Sequence, residues 1–188
     1  MQSVRTKKGD NGFTRLHYSE LILKNDPRIV SIGEIDELTA AITLAICFSN
    51  NQMIKECLTE QRGHLMTIMG LLSLSVIKNH DILTKVRETA QTTAHRLPDN
   101  LISDTETTLV HFEGLLNFTE RGWRVFDSNP AAAFINLART VCRRAERSIV
   151  TLKITHNHFD NEILTYMNAL SDILFTLASL EEENGNFT

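Results

Sequence analysis

Three prolines and eight glycines in 188 residues leave few places where a helix must stop. Cysteine is as scarce. Cys47, Cys57 and Cys142 are odd in number and lack the close spacing of a metal or redox pair. Each falls in a helical apolar pattern, so all three read as buried free thiols. That suits a reducing, cytoplasmic compartment. No apolar core follows the opening MQSVRTKKGD, so it does not read as a secretory leader. The longest apolar runs, such as Leu65 to Ile77, fall short of a membrane span, and no membrane partner is expected. A net charge of −4 removes the broad basic footprint that nucleic acid requires, so any basic cluster is local. What remains is 42% hydrophobic, enough for one helical domain with a sizeable core.

Apolar residues recur at three and four along several stretches. Ile29, Ile32, Ile35, Leu38, Ile42, Ala45 and Ile46 predict a helix over 28–49. Leu58, Leu65, Ile68, Met69, Leu72 and Val76 predict a second over 52–79. Residues 80–97 either continue it or form a short helix of their own. Ser103 or Asp104 can cap a further helix running to about Arg121, with Leu109, Phe112, Leu116 and Phe118 inward. The last helix, from Asn161 to about Glu183, carries Ile163, Tyr166, Met167, Leu170, Ile173, Leu174, Leu177 and Leu180. Its acidic end, 181–186, reads as frayed. His156 and His158 lie in a short connection and lack a third ligand, so no metal site is expected. There is little strand signal and no repeat. The expected architecture is all-α, a five-helix bundle of up-down, ferritin-like helices.

The remaining helix, Ala131 to Leu152, has the most distinctive face. Arg139, Arg143, Arg144 and Arg147 fall within nine residues, with Glu146 among them and no lysine. At 100° per residue, Phe134, Leu137, Ala138, Val141, Cys142, Ala145, Ile149 and Leu152 share one side. Arg139, Arg143 and Arg147 follow one another at i, i+4 on the other, with Arg144 on the flank. Ser128 or Asn129 can cap this helix, with Pro130 in its first turn. Stacked guanidiniums repel unless an anion lies between them. The row therefore asks for a polyanion such as a triphosphate, or for carboxylates from a neighbouring helix or subunit. Residues 1–28 lack periodicity. Lys7, Lys8, Gly9 and Gly12 around Asp10-Asn11 form a basic, glycine-bearing turn able to cradle phosphate, or a loose basic terminus.

Four pieces recur together: Thr6 to Gly12, Gly33-Glu34-Ile35-Asp36-Glu37-Leu38, Ala138 to Arg147, and Tyr166 to Phe175. In order and spacing the chain resembles the PduO-type ATP:cob(I)alamin adenosyltransferases over nearly its whole length. The resemblance implies a homotrimer with sites between subunits. It implies transfer of the 5′-deoxyadenosyl group of ATP to cob(I)alamin, with triphosphate leaving and Mg²⁺ assisting. It also divides the chain into an ATP-binding N-terminal loop (1–28), the bundle (29–183) and a frayed tail (184–188). Thr6, Lys7, Lys8, Gly9, Thr14, Arg15 and Lys24 match the ATP-contacting segment of the family. Arg143, Arg144, Glu146, Arg147 and Asn168 match its other ATP contacts. Arg139 and Asp36 match a salt bridge across the subunit interface beside the corrinoid. With Arg143 they are the expected catalytic residues.

Several positions depart from the family pattern. The usual aromatic residue followed by Leu-Pro-Gly-Gly is replaced by Trp123-Arg124-Val125-Phe126-Asp127-Ser128. A histidine is replaced by Asn136 and an arginine by Ala169. Gly-Glu-Arg becomes Ser19-Glu20-Leu21, and Lys-Asp-Asp becomes Lys24-Asn25-Asp26. Trp123 aligns with the aromatic side chain that displaces the corrinoid's lower ligand, and Phe126 is the second candidate. Both equally read as packing at the bundle end. The ATP half is thus largely kept and the corrinoid half altered. Expected partners are ATP, the corrinoid, two further copies of the chain, and a reductase or a cobalamin-dependent enzyme. The alternative is an ATP- and corrinoid-binding trimer that acts as a sensor or delivery partner.

Overall fold

A computed structural model describes residues 7, 9–16, 21–74, 97–116, 124–155 and 161–185. Among them are two short strands, β1 (Phe13–Arg15) and β2 (Leu21–Leu23), and five helices. The helices are α1 (Pro27–Phe48), α2 (Gln52–Leu74), α3 (Leu101–Glu113), α4 (Pro130–Thr155) and α5 (Asn161–Gly185). Thr6, Lys8, Ser19, Glu20, Val76, Phe118, Trp123, His156, His158 and all of the expected helix over 80–97 except its last residue lie outside the described residues, as does the end of the tail from 186.

Local chemistry sets most helix starts. The Asp26 carboxylate accepts from the Arg28 backbone N–H at 3.0 Å and grips the Arg28 guanidinium at 2.7 and 2.6 Å, with Pro27 in the first turn. Asn51 Oδ1 accepts from the N–H groups of Met53 and Ile54 and so caps α2. For α4 the cap is Asn129, whose Oδ1 accepts from Ala131 N–H at 2.9 Å. Helix α3 departs from expectation at both ends. It begins at Leu101, so Ser103 lies inside it and donates back to the Asn100 carbonyl. It stops at Glu113, because Gly114 follows and glycine is a poor helix former.

Helix α1 packs against α2 and α4, α4 also packs against α5, and α5 packs against α3. The core runs through α5, where Ile163, Tyr166, Met167, Leu170, Ile173, Leu174 and Leu177 are all buried. By length and composition α5 could cross a membrane, more than the apolar runs of the sequence suggested, yet most of it is buried inside the bundle. The buried stripe of α4 is Ala131, Ala132, Ile135, Ala138, Val141, Cys142, Ala145, Ile149 and Leu152. Its alanines let α1 and α5 approach closely on either side.

Four expectations need correction. Leu137 is 47% exposed, because the stripe passes through Ile135 and Ala138. Cys47 is exposed, since the inward series of α1 ends at Ala45 and residue 47 lies about 200° further round. The segment read as structureless contains an antiparallel hairpin, pairing Phe13 with Leu23, Thr14 with Ile22 and Arg15 with Leu21. Residues 181–185 are helical, not frayed: α5 continues to Gly185, and Glu181 and Glu182 are buried.

Candidate functional site

The first element of the site is the turn that leads into β1. Lys7 adopts a left-handed conformation (φ 59°), and Gly12 does so at φ 82°. Asp10 N–H donates to the Lys7 carbonyl, Gly12 N–H to the Gly9 carbonyl, and Lys24 N–H to the Gly12 carbonyl at 2.9 Å. Lys24 is thereby folded back onto the turn. A Cβ at Gly9 would stand 3.0 Å from Lys24 Nζ and 3.4 Å from the Phe13 carbonyl oxygen. Gly9 and Lys24, fifteen positions apart in the sequence, thus share one small basic platform, with Thr14 and Arg15 on the adjoining strand. Lys7, Thr14, Arg15 and Lys24 make no hydrogen bond or ion pair with α4 among the described residues.

The second element is the polar face of α4, whose arginines have three different situations. Arg144 is bound within the chain: its Nε donates to Glu34 and its Nη2 to Glu37, both on α1. These bonds raise the Arg144 pKa and lock α4 against α1. Arg139 is oriented by its neighbour, Nε donating to Asn136 Oδ1 at 2.9 Å. The Arg143 and Arg147 side chains are exposed and have no ion-pair partner among the described residues. Asp36, on α1 between the two carboxylates that hold Arg144, also lacks one, so Asp36 and Arg139 do not meet within this chain.

Helix α5 supplies the third element. The Cys142 thiol donates to the Met167 carbonyl at 3.4 Å, which sets the height of α4 against α5. The residues that follow, Arg143 and Asn168, therefore lie at the same level. Asp172 sits one turn beyond Asn168. Partial burial pushes its carboxyl up, the Arg143 charge opposes that shift, and Glu113 of α3 adds to it. Arg143 and Asp172 are thus electrostatic neighbours without being an ion pair. Ala169 stands half-buried beside them. Glu146 carries a half-buried carboxylate with no partner among the described residues. No group of three or more metal-ligating side chains occurs among the described residues.

Residues 124–129 form the approach to α4. Phe126 is buried and packs edge-on against Phe175 of α5, with ring centroids 6.1 Å apart. Little of its ring is left for a ligand. Glu182 reaches this segment from the end of α5, accepting from Asp127 N–H at 3.3 Å, from Ser128 N–H at 2.9 Å and from the Ser128 hydroxyl. Burial pushes its carboxyl up, but the bonds from Ser128, Asp127 and Asn129 outweigh burial and hold it below the usual range.

The family model for cobalamin adenosyltransferases matches residues 4–181. The chain belongs to the cobalamin adenosyltransferase family. It is 28% identical to the corrinoid adenosyltransferase of Citrobacter freundii, over 97% of this chain and 96% of that one. It is 30% identical to the cobalamin adenosyltransferase of Cupriavidus metallidurans, over 98% of this chain and 91% of that one. Against the corrinoid adenosyltransferase PduO of Salmonella typhimurium it spans about half the relative's length, 51%. The fold is that of a variant PduO-type ATP:corrinoid adenosyltransferase from Lactobacillus reuteri, solved with cobalamin and ATP. The TM-score is 0.79 at 24% identity, over 97% of this chain and 91% of that one. Within this family frame, two features escaped sequence reasoning. One is the Arg144 clamp on Glu34 and Glu37, which needed the packing of α1 on α4 to be known. The other is the role of Glu181 and Glu182, which an acidic chain end concealed.

Proposed function

We propose that the protein transfers the 5′-deoxyadenosyl group of ATP to cob(I)alamin. The observation that carries this reading is the division of labour along α4. Arg144 has its carboxylates inside the chain, whereas Arg143 and Arg147 beside it have none among the described residues. Unpaired guanidiniums on one face repel, and a triphosphate would relieve that repulsion with charge-assisted, forked bonds.

The reduced cobalt of the substrate is the nucleophile. A bond forms between cobalt and C5′ of ATP, the C5′–O bond breaks, and its electron pair leaves with the triphosphate. The chain therefore needs no nucleophile or base of its own. It has to place C5′ in line with the cobalt and stabilise charge developing on the leaving group. Arg143 and Arg147, with Asn168 at the level of Arg143, would hold the triphosphate and ribose end of ATP. Lys7, Gly9, Thr14, Arg15 and Lys24, together with Thr6 and Lys8, would complete the phosphate cradle. Arg144 contributes by fixing the helix more than by reaching ATP. A Mg²⁺ accompanying ATP fits a site with no protein cage: phosphate oxygens would supply most ligands, and Glu146 is the carboxylate suited to join them.

Among the described residues the basic turn makes no bond to α4 of its own chain, and neither Asp36 nor Arg139 has an ionic partner. Both facts support a homotrimer in which one copy's turn meets the next copy's α4, and Asp36 of one copy pairs with Arg139 of the next. On the corrinoid side, Trp123 is the aromatic candidate, and Phe126, the second candidate, is buried against Phe175. A cytoplasmic location and a reductase supplying the reduced cobalt complete the reading. Anaerobic assay with ATP and chemically reduced cobalamin tests it. Formation of adenosylcobalamin with release of triphosphate is the expected result, and bound ATP without product would refute it. That refuting outcome would favour the second reading, a nucleotide- and corrinoid-binding sensor or delivery trimer, which the burial of Phe126 supports.

A further inference from the structure

The segment 124–129 contains no glycine and no proline. Its backbone course therefore has no local cause of the kind a Pro-Gly-Gly turn provides. Four of its anchors lie on the last three turns of α5. Phe126 packs on Phe175, and Asn129 Nδ2 donates to the Glu181 carbonyl at 2.8 Å. Arg124 pairs with Glu183 at 3.1 Å. The Glu182 carboxylate collects two backbone N–H groups and a hydroxyl from Asp127 and Ser128. Asn129 also caps α4, so one side chain ties the end of α5 to the start of the arginine helix. Glu182 is only 6% exposed, and its bonds converge on one oxygen, Oε1. Between these inward anchors Val125 is left 73% exposed, an apolar side chain turned outward.

We propose that Glu182 is a positioning residue for the corrinoid side of the site. Its carboxylate replaces a glycine turn by holding the 124–129 segment, and through Asn129 the first turn of α4, in one geometry. The inference rests on the adenosyltransferase reading above. It assigns to the end of α5 the anchoring that a Pro-Gly-Gly turn would supply locally. The phosphate-binding arginines of α4 begin about three turns further on, and Arg144 fixes that stretch to α1 independently. Loss of Glu182 should therefore disturb the corrinoid and spare ATP.

The test compares E182Q, E182D and S128A with the unsubstituted protein. It reads KM for cobalamin and for ATP in the anaerobic assay, and titrates cob(II)alamin with ATP bound, which needs no turnover. E182Q can keep one amide oxygen on these donors, which all meet Oε1, but it removes the negative charge that strengthens the three bonds. Its cobalamin KM and cob(II)alamin Kd should rise about ten-fold, while the ATP KM stays within about two-fold. S128A removes one donor and should shift the same quantities in the same direction by less, and E182D should recover part of the loss. Unchanged cobalamin constants, or cobalamin and ATP constants rising together, would overturn the proposal. If E182Q does not fold, S128A decides by the same two criteria. Absence of turnover in the unsubstituted protein refutes the adenosyltransferase reading instead, and the cob(II)alamin titration still decides the role of Glu182.

Discussion

Replacing Arg143 with alanine separates ligand binding from folding more cleanly than any other change on α4. The side chain is exposed and has no ion-pair partner among the described residues, so its loss removes no buried contact. It also removes repulsion from Arg139 and Arg147, one turn away on either side. Against that, Asp172 loses the positive charge that opposes the upward push of burial on its carboxyl. These effects are small and of opposite sign, so stability should change by less than about 0.5 kcal/mol. Binding is different. A guanidinium gripping phosphate contributes about 1.5–3 kcal/mol, which is about ten- to one-hundred-fold in Kd. R143K keeps the charge and loses the fork, so it should recover only part of this. Calorimetric titration with Mg-ATP gives the affinity, and a thermal melt of the same sample gives the stability. An ATP affinity within about two-fold of the unsubstituted protein would refute the assignment. So would a Tm drop of several degrees, because it would show that Arg143 holds the fold.

Tyr166 is fully buried, and its hydroxyl donates to Gln61 Oε1 at 3.0 Å. Y166F should cost about 1–3 kcal/mol by leaving a buried amide oxygen unpaired, and adding Q61L should recover much of it, as read by thermal melts. Burial pushes the thiols of Cys57 and Cys142 up to about 12, whereas Cys47 is exposed. Native protein should therefore titrate about one thiol with a disulfide reagent at neutral pH, and all three after denaturation. Rapid native labelling of two or three would contradict the burial. Glu182 has a folded pKa below its unfolded value, so it contributes stability that is present above the usual glutamate value near 4.5 and lost as pH falls through the lower folded value. Denaturant unfolding of the parent and E182Q should show their difference shrinking across that acidic window, and a constant difference would oppose this sign.

Five helices and their approximate boundaries were legible because apolar periodicity and caps are local properties. Asn51, Asn129 and Pro130 announce helix starts whatever else the chain does. The arginine row was legible for the same reason, since residues at i and i+4 share a face in any helix. The errors have a common cause. Leu137 and Cys47 sit at the edge of an apolar face, and only the angle at which α1 and α5 approach decides whether an edge residue is covered. The N-terminal hairpin was missed because strands of three residues are too short to show alternation.

By itself, then, the order of residues determined a mostly helical domain of this family with a guanidinium-bearing face. Helix propensity, capping and periodicity act within a few residues, so they are written directly in the chain. Only the tertiary structure decided which guanidiniums are already neutralised and which have no ion-pair partner among the described residues. Arg144 meets Glu34 and Glu37 across more than a hundred positions. It likewise decided that the acidic end of α5 anchors the approach to α4. Such pairings depend on two distant segments being packed side by side, and long-range Coulomb and hydrogen-bond partners leave no local trace in the sequence.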